Sequence, residues 1–136
     1  MILNNGYDTK AGNQYRKDAT FTSTPEELTL MLYNGIIKFI MQAQAAVENN
    51  DIKKAHDSII RAEDIISELR STLDMNYEIS KNLLLLYDYM HRRLIEANIK
   101  KDMDILEEVL GLAKDLRDIW VQAVKIVKKQ YKAREA

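Results

Sequence analysis

The side chains with the clearest potential for chemistry in this sequence are two histidines, His56 and His91. His91 follows Asp88 by three positions, and a helix brings residues at that spacing onto one face. A di-iron bundle needs Glu-x-x-His on two helices and a further glutamate from each of two others. His56 is preceded at the same distance by Lys53, so only one incomplete half-site exists. The sequence therefore predicts no metal site.

A second chemistry that the histidines suggest is phosphoryl transfer. Arg92 and Arg93 follow His91 and could attract a phosphate group to an exposed histidine on a helix. Phosphotransfer bundles usually carry a lysine and a glycine shortly after that histidine, and this sequence lacks both at the expected places. No glycine-rich phosphate loop or Ser-His-Asp set can be identified either. We therefore expect neither an enzyme nor a cofactor, with phosphotransfer kept as an alternative.

Composition and charge restrict the class of protein further. The chain has 136 residues, 46% of them hydrophobic and 30% charged, as is usual for one soluble domain. Its net charge of −1 gives no broad basic field, and no apolar run approaches the roughly 18 residues of a membrane span. We expect no nucleic-acid partner, no small-molecule substrate and no stable membrane insertion. Without cysteine or a signal-peptide core, a cytoplasmic location is the default expectation.

The elements that position these side chains are helices, which follow a flexible arm. Residues 1–22 are rich in asparagine and glycine with widely spaced aromatics, and this predicts an arm preceding a bundle domain of residues 23–136. The first helix opens with a capping box, Thr24 to Glu27, around Pro25. The four predicted helices span residues 25–48, 51–73, 77–100 and 102 onward. Similar lengths and short loops predict an all-α, antiparallel up-down-up-down four-helix bundle with a flexible N-terminal arm.

The predicted core positions recur at three- and four-residue spacing along each helix. In chain order they are Leu28, Leu32, Gly35, Ile36, Phe39, Ala43, Val47, then Ile52, Ala55, Ile59, Ala62, Ile66, Leu69, Leu73, then Ile79, Leu83, Leu86, Met90, Leu94, Ala97, and finally Val109, Ala113, Leu116, Trp120, Val124, Val127 and Tyr131. The lysines near the end of the fourth helix are expected to complement the helix dipole.

Three helices carry more apolar residues than one core stripe needs. At about 100° per residue, a stripe of the first helix falls in the sector roughly opposite its core, namely Leu30, Tyr33, Ile37 and Met41. The fourth helix repeats Leu112, Ile119 and Ile126 at the margin of its core stripe, and Ile95 lies away from the seam of the third. The arm, a second subunit or a ligand chain could cover such residues. Packing against neighbouring helices is the alternative explanation.

Several short motifs also follow one another in a fixed order along nearly the whole chain. They are Asn13-Gln14-Tyr15, Thr22 to Leu28 around Pro25, Met31-Leu32-Tyr33-Asn34-Gly35 with Phe39, Ala62 to Leu69 with Leu73, Asn82-Leu83, Leu86 to Met90, Leu94 to Asn98, and Leu116 to Trp120. As an ordered set they resemble the flagellin-specific export chaperone family, FliS. The sequence departs from the family at Asn76-Tyr77-Glu78, where many members carry a glycine-rich turn, and this affects a loop only.

The resemblance implies a chaperone that binds the disordered C-terminal segment of flagellin one to one in the cytoplasm. It also implies that the chaperone prevents premature polymerisation and delivers flagellin to the export gate protein FlhA. The family's arm can act as a cap, a role that Tyr7 and Tyr15 would take here. Candidate flagellin contacts are then Leu30, Tyr33, Ile37, Met41, Ile95, Leu112, Ile119 and Ile126. A structural homodimer that uses the outer stripe as its interface is the alternative.

Overall fold

Four long helices make up the part of the chain that the structure describes. The computed structural model describes residues 24–135, which form α1 (Pro25–Glu48), α2 (Ile52–Ser71), α3 (Glu78–Lys100) and α4 (Met103–Glu135), with no strand in that range. Helices adjacent in the chain pack side by side, and α4 closes the ring against α1. This confirms the predicted all-α four-helix bundle. The division between arm and bundle stays a prediction, since residues 1–22 lie outside the described range.

Polar contacts between helices show that neighbours run antiparallel. Gln44, near the end of α1, donates a hydrogen bond to Glu107, near the start of α4, at 2.7 Å. At the other end of the same pair, the indole Nε1 of Trp120 donates to the backbone carbonyl oxygen of Glu26 at 2.9 Å. These contacts fix the register of α4 along α1. The contacts of His56 with Asn98 and of Arg70 with Asp88 show the same antiparallel relation between α2 and α3, in agreement with the up-down-up-down order.

Side-chain caps determine where three of the helices begin. Thr24 Oγ1 accepts a hydrogen bond from the backbone N–H of Glu27 at 3.2 Å, with Pro25 in the first turn of α1. Asp51 accepts from the N–H of Lys54 at the start of α2, and Asp102 accepts from the first turn of α4. Each bond satisfies an N–H group that lacks a partner within its own helix. The predicted starts of α1, α2 and α4 are therefore confirmed.

The core is a continuous apolar layer that all four helices supply. Its innermost side chains have almost no solvent exposure and are Ile36, Ile40, Ile59, Ile66, Met90, Leu94, Leu106 and Val109. Full burial of a side chain of this size contributes about 1.5–3 kcal/mol to folding. The interior of the bundle is therefore filled by its own residues.

The predicted core stripes are too long at the helix ends. Ile52 and Ile79 are 54% and 61% exposed, and Val127 and Tyr131 near the end of α4 are 61% and 66% exposed. Each occupies a core-facing position of its helix but lies at an end of the bundle: Ile52 and Ile79 are in the first turns of α2 and α3, and Val127 and Tyr131 lie past the first turn of α1, which Trp120 contacts. The prediction that these four side chains belong to the core is wrong for that reason.

Candidate functional site

Two of the four residues predicted to form an outer stripe on α1 are buried. Tyr33 and Ile37 are buried, with exposed fractions of 3% and 7%, so the prediction that they face outward is wrong. Because α1 packs against both α2 and α4, its buried positions cover roughly 200° of the helix circumference at 100° per residue. Met41 is 52% exposed and Leu30 is half-buried, which leaves these two at the edge of the surface.

Tyr33 has a specific reason to lie inside the bundle. Its hydroxyl oxygen lies 2.6 Å from that of Tyr87 on α3, the helix diagonally opposite α1. Burial raises the pKa of both hydroxyl groups, and in Tyr87 the neighbouring Tyr33 raises the pKa further, so both stay protonated. The pair is thus a neutral hydrogen bond across the centre of the core, which favours one arrangement of α1 against α3.

A polar cluster joins α3 to α4 at the surface. Glu108 on α4 accepts hydrogen bonds from the Tyr89 hydroxyl at 2.5 Å and from Arg93 Nε at 2.8 Å, both on α3. The bond from Tyr89 and then that from Arg93 lower the pKa of the Glu108 carboxyl, and the same Tyr89–Glu108 bond raises the pKa of the Tyr89 hydroxyl. This cluster identifies the side of α4 that faces α3.

The apolar stripe of α4 continues along that same side. Helix periodicity places Leu112, Ile119 and Ile126 within about 40° of Glu108 around the helix axis. Leu112 is half-buried against the core, while Ile119 and Ile126 are 66% and 56% exposed. Leu112 and Ile119 therefore line one wall of the shallow groove between α3 and α4, which we call the α3–α4 groove, and Ile126 continues this stripe past the start of α3.

The opposite wall of the α3–α4 groove contains a residue that sequence reasoning missed. Leu85 is 69% exposed. It lies one helical turn before Tyr89 on α3, and Leu112 lies one turn after Glu108 on α4. The bond between Tyr89 and Glu108 joins these antiparallel helices, so Leu85 is roughly level with Leu112. A signal for it was present in the sequence. Four consecutive leucines, residues 83–86, spread over about 300° of a helix, so they cannot all face one core.

Ile95 lies on a different side of the bundle. Asp88 on α3 forms an ion pair of 2.7 Å with Arg70 on α2, and Ile95 follows Asp88 by two helical turns on the same side of α3. Ile95 is 42% exposed and therefore borders the groove between α2 and α3. The candidate contacts thus lie in several grooves: Leu30 and Met41 beside α4, the α4 stripe beside α3, and Ile95 beside α2.

The two histidines take part in contacts between helices. His56 shares a hydrogen bond of 2.9 Å with Asn98, whereas His91 lies near Arg70 and Asp88. Burial, followed by the charge of Arg70, lowers the pKa of His91. In the stretch from Thr24 to Glu135, no three acidic, histidine or cysteine side chains come together as metal ligands. None of the described helices combines the length and apolar content needed to cross a membrane.

Comparisons with known proteins assign this arrangement to a family. The sequence model of the family described as "Flagellar protein FliS" matches residues 8–127. The chain is 48% identical over 129 residues to the flagellar secretion chaperone FliS of Bacillus subtilis (strain 168), covering 95% of this chain and 93% of that protein. It is 34% identical over 109 residues to the protein of the same name from Salmonella typhimurium (strain LT2), with 78% and 81% of the two chains covered.

A third relative extends the likeness to another organism. The flagellar secretion chaperone FliS of Escherichia coli (strain K12) is 31% identical over 111 residues, which cover 79% of this chain and 82% of that protein. The family is one of chaperones and not of enzymes, in agreement with the absence of catalytic motifs from the sequence. The chain belongs to the FliS family of flagellar secretion chaperones.

Proposed function

We propose that this chain binds the C-terminal segment of flagellin one to one in the cytoplasm, prevents its premature polymerisation and delivers it to the export gate protein FlhA. Membership of the FliS family supports an export chaperone. The observation that carries flagellin binding is the α3–α4 groove, whose apolar walls stay open in an otherwise well-packed bundle. An isolated exposed isoleucine is ordinary, but apolar side chains that recur along one groove indicate a partner.

An amphipathic helix fits the α3–α4 groove best. Leu112, Ile119 and Ile126 recur every seventh residue, which matches the spacing of anchor residues in helix-in-groove recognition. Leu85 supplies the facing wall. A guest that is disordered when free loses conformational entropy on binding and regains free energy by burying apolar area, at about 25 cal/mol per Å². Binding therefore needs no nucleotide.

The other candidate contacts suggest that the guest passes around the bundle. Met41 with Leu30, and Ile95, lie in grooves on other sides of the bundle. One extended chain can contact separated grooves in turn, whereas a second rigid copy of the bundle cannot. This is the reason for preferring flagellin over the homodimer, and it also fits a stoichiometry of one to one.

The arm completes the proposal. Tyr7 and Tyr15 lie outside the described residues, and we propose that they form a cap which the guest displaces. The chain enters α1 beside Trp120, at the end of the bundle where Val127 and Tyr131 are exposed, so a cap that starts there has apolar surface within reach.

The test compares two matched substitutions. Ile119→Asp in the α3–α4 groove should weaken binding of a flagellin C-terminal peptide at least about tenfold, because it places a charge against an apolar guest. Ile52→Asp changes a residue of similar exposure on α2, outside this groove, and should bind the peptide as the wild type does. Isothermal titration calorimetry measures both, and circular dichroism verifies that both variants are folded. Equal affinity for the two variants would contradict the groove, and no binding by the wild type would contradict flagellin as the guest.

A further inference from the structure

The end of α4 projects beyond the rest of the bundle. Trp120 lies beside Glu26 in the first turn of α1, so the following turns of α4 pass the point where α1 begins. Every residue from Lys125 to Glu135 is exposed. We call residues 125–135 the C-terminal overhang, and at 1.5 Å per residue it is roughly 16 Å long. It is the part of α4 that continues past the first turn of α1.

The overhang is strongly positive, although the whole chain has a net charge near zero. Residues 125–135 contain four lysines and one arginine against one glutamate, a net charge of +4, whereas the whole chain carries −1. The remaining residues therefore carry −5. Lys125, Lys128, Lys129 and Lys132 follow the spacing of one helix face, an arc of about 100°. Val127 and Tyr131 continue the side of α4 that faces the core, and both lie outside this arc. The lysine face is therefore turned away from the core-facing side of α4.

Neither ion pairing nor the helix dipole accounts for this face. None of its four lysines forms an ion pair with a residue of the described range. A cation complements the helix dipole within the last turn, where Lys132 and Arg134 lie. Lys125, Lys128 and Lys129 precede that turn. They form a row of exposed charges without an ion pair in the described range. One electrostatic interaction reaches this face: the pKa of the Glu26 carboxyl in α1 is lowered first by a backbone hydrogen bond, then by Thr24, and also by the charge of Lys128.

We propose that the C-terminal overhang docks this protein reversibly onto a membrane surface that contains anionic lipids. A protein partner commonly buries about 800 Å² on each side, and one helix without flanking elements offers no groove for that. A lipid surface needs no complementary shape, only charge and a few apolar side chains. Ile126 lies next to the lysine face at about 60° from Lys129 and can enter the headgroup layer. At about 0.15 M salt, acidic residues of the bundle that lie more than about 8 Å from the lipid surface are largely screened and oppose docking little.

The expected strength follows from the number of charges. Each basic residue near an anionic surface raises partitioning about fivefold, which corresponds to about 1 kcal/mol. Lys125→Glu with Lys129→Glu removes two such charges and adds two repulsive ones, so partitioning should fall at least about 25-fold. Lys53→Glu with Lys54→Glu alters net charge by the same amount at the start of α2, at the opposite end of the bundle, and is the control. It also breaks the exposed ion pair of Lys53 with Asp57, and such pairs contribute little to stability.

Cosedimentation with vesicles tests the proposal on the full-length protein. The vesicles contain phosphatidylcholine alone or 30% phosphatidylglycerol in phosphatidylcholine, at 50 mM and 300 mM NaCl. The wild type and the control should bind only the anionic vesicles, and less at high salt, and the overhang variant should lose this binding. Circular dichroism of the variants verifies that helix content is kept.

Three results would overturn the proposal. The first is absence of the wild type from the anionic vesicle pellet at 50 mM NaCl. The second is equal loss of binding in the overhang variant and the control. The third is an interaction of the lysine face with protein and not with lipid. Salt-sensitive self-association without vesicles would assign this face to a second copy of the chain, and binding to polyglutamate but not to vesicles would assign it to an acidic protein. Flagellin is absent from the experiment, so its outcome is independent of the proposed function.

Discussion

Aspartate substitutions at Ile37 and Met41 should have opposite consequences although the two residues are one helical turn apart. Both belong to the apolar stripe that sequence periodicity assigns to the outside of α1. In the structure Ile37 is 7% exposed and belongs to the core cluster, whereas Met41 is 52% exposed. A comparison of Ile37→Asp with Met41→Asp therefore tests directly where the core of α1 ends.

The cost of Ile37→Asp has two parts. Removal of the buried isoleucine side chain loses about 2 kcal/mol of hydrophobic stabilisation. The introduced carboxyl group avoids an unpaired buried charge by binding a proton, which at pH 7 costs about 4 kcal/mol because the pH is about three units above its ordinary pKa. The sum of about 6 kcal/mol is comparable to the whole stability of many domains. Met41→Asp should cost less than about 1 kcal/mol, as is usual at the surface.

The stability of Ile37→Asp should depend on pH in a defined direction. The introduced carboxyl group is protonated in the folded state and ionised in the unfolded state, so the unfolded state binds fewer protons and stability rises as the pH falls. Between pH 7 and pH 5 the deficit of Ile37→Asp should shrink by about 2.7 kcal/mol. Urea denaturation followed by circular dichroism at both pH values measures it, with Ile37→Ala, at about 2–4 kcal/mol, as the milder variant. Stability of Ile37→Asp within about 1 kcal/mol of Met41→Asp at pH 7 would refute the burial of Ile37.

Two further predictions concern the polar contacts of α3. Tyr33→Phe should destabilise the protein by about 1–3 kcal/mol, because it leaves the Tyr87 hydroxyl buried without its partner. In urea denaturation, the double variant Tyr33→Phe with Tyr87→Phe should lose less stability than the sum of the two single variants. Additive losses would contradict the buried pair. The pKa of Glu108 is lowered by Tyr89 and Arg93, so its contribution to stability is present above the ordinary pKa of a glutamate and is lost as the pH falls through its lowered folded value. Thermal midpoints should therefore fall less steeply with acidification for Glu108→Gln than for the wild type, and parallel curves would argue against the bonds of Glu108.

Local signals in the sequence were sufficient to locate the helices. The caps Thr24, Asp51 and Asp102 act within their own first turns, so their effect does not depend on the rest of the fold. The start of α3 lacks such a signal because Tyr77 provides no side-chain cap, and the structure begins this helix at Glu78. Short loops then left an antiparallel bundle as the simplest arrangement, and the ordered motifs indicated the family.

The extent of burial could not be predicted in the same way, since it depends on how many helices surround each position. A helical wheel with one core direction assigns Tyr33 and Ile37 to the outside, but α1 contacts neighbours on two sides and a tyrosine on the opposite helix. Likewise, periodicity extends the core stripe of α4 to Val127 and Tyr131 without indicating that α1 and α3 begin before these positions are reached. Flagellin binding by the candidate contacts that stay accessible is still a prediction.

The position of Trp120 gives the protein an intrinsic optical reporter. It is the only tryptophan in the sequence, and its indole group is anchored to the backbone at the first turn of α1. Fluorescence excited selectively in this ring therefore comes from one junction, the place where the segment before Thr24 enters the bundle. A change in emission when a ligand is added would report movement at that entrance, in an unlabelled molecule and in real time.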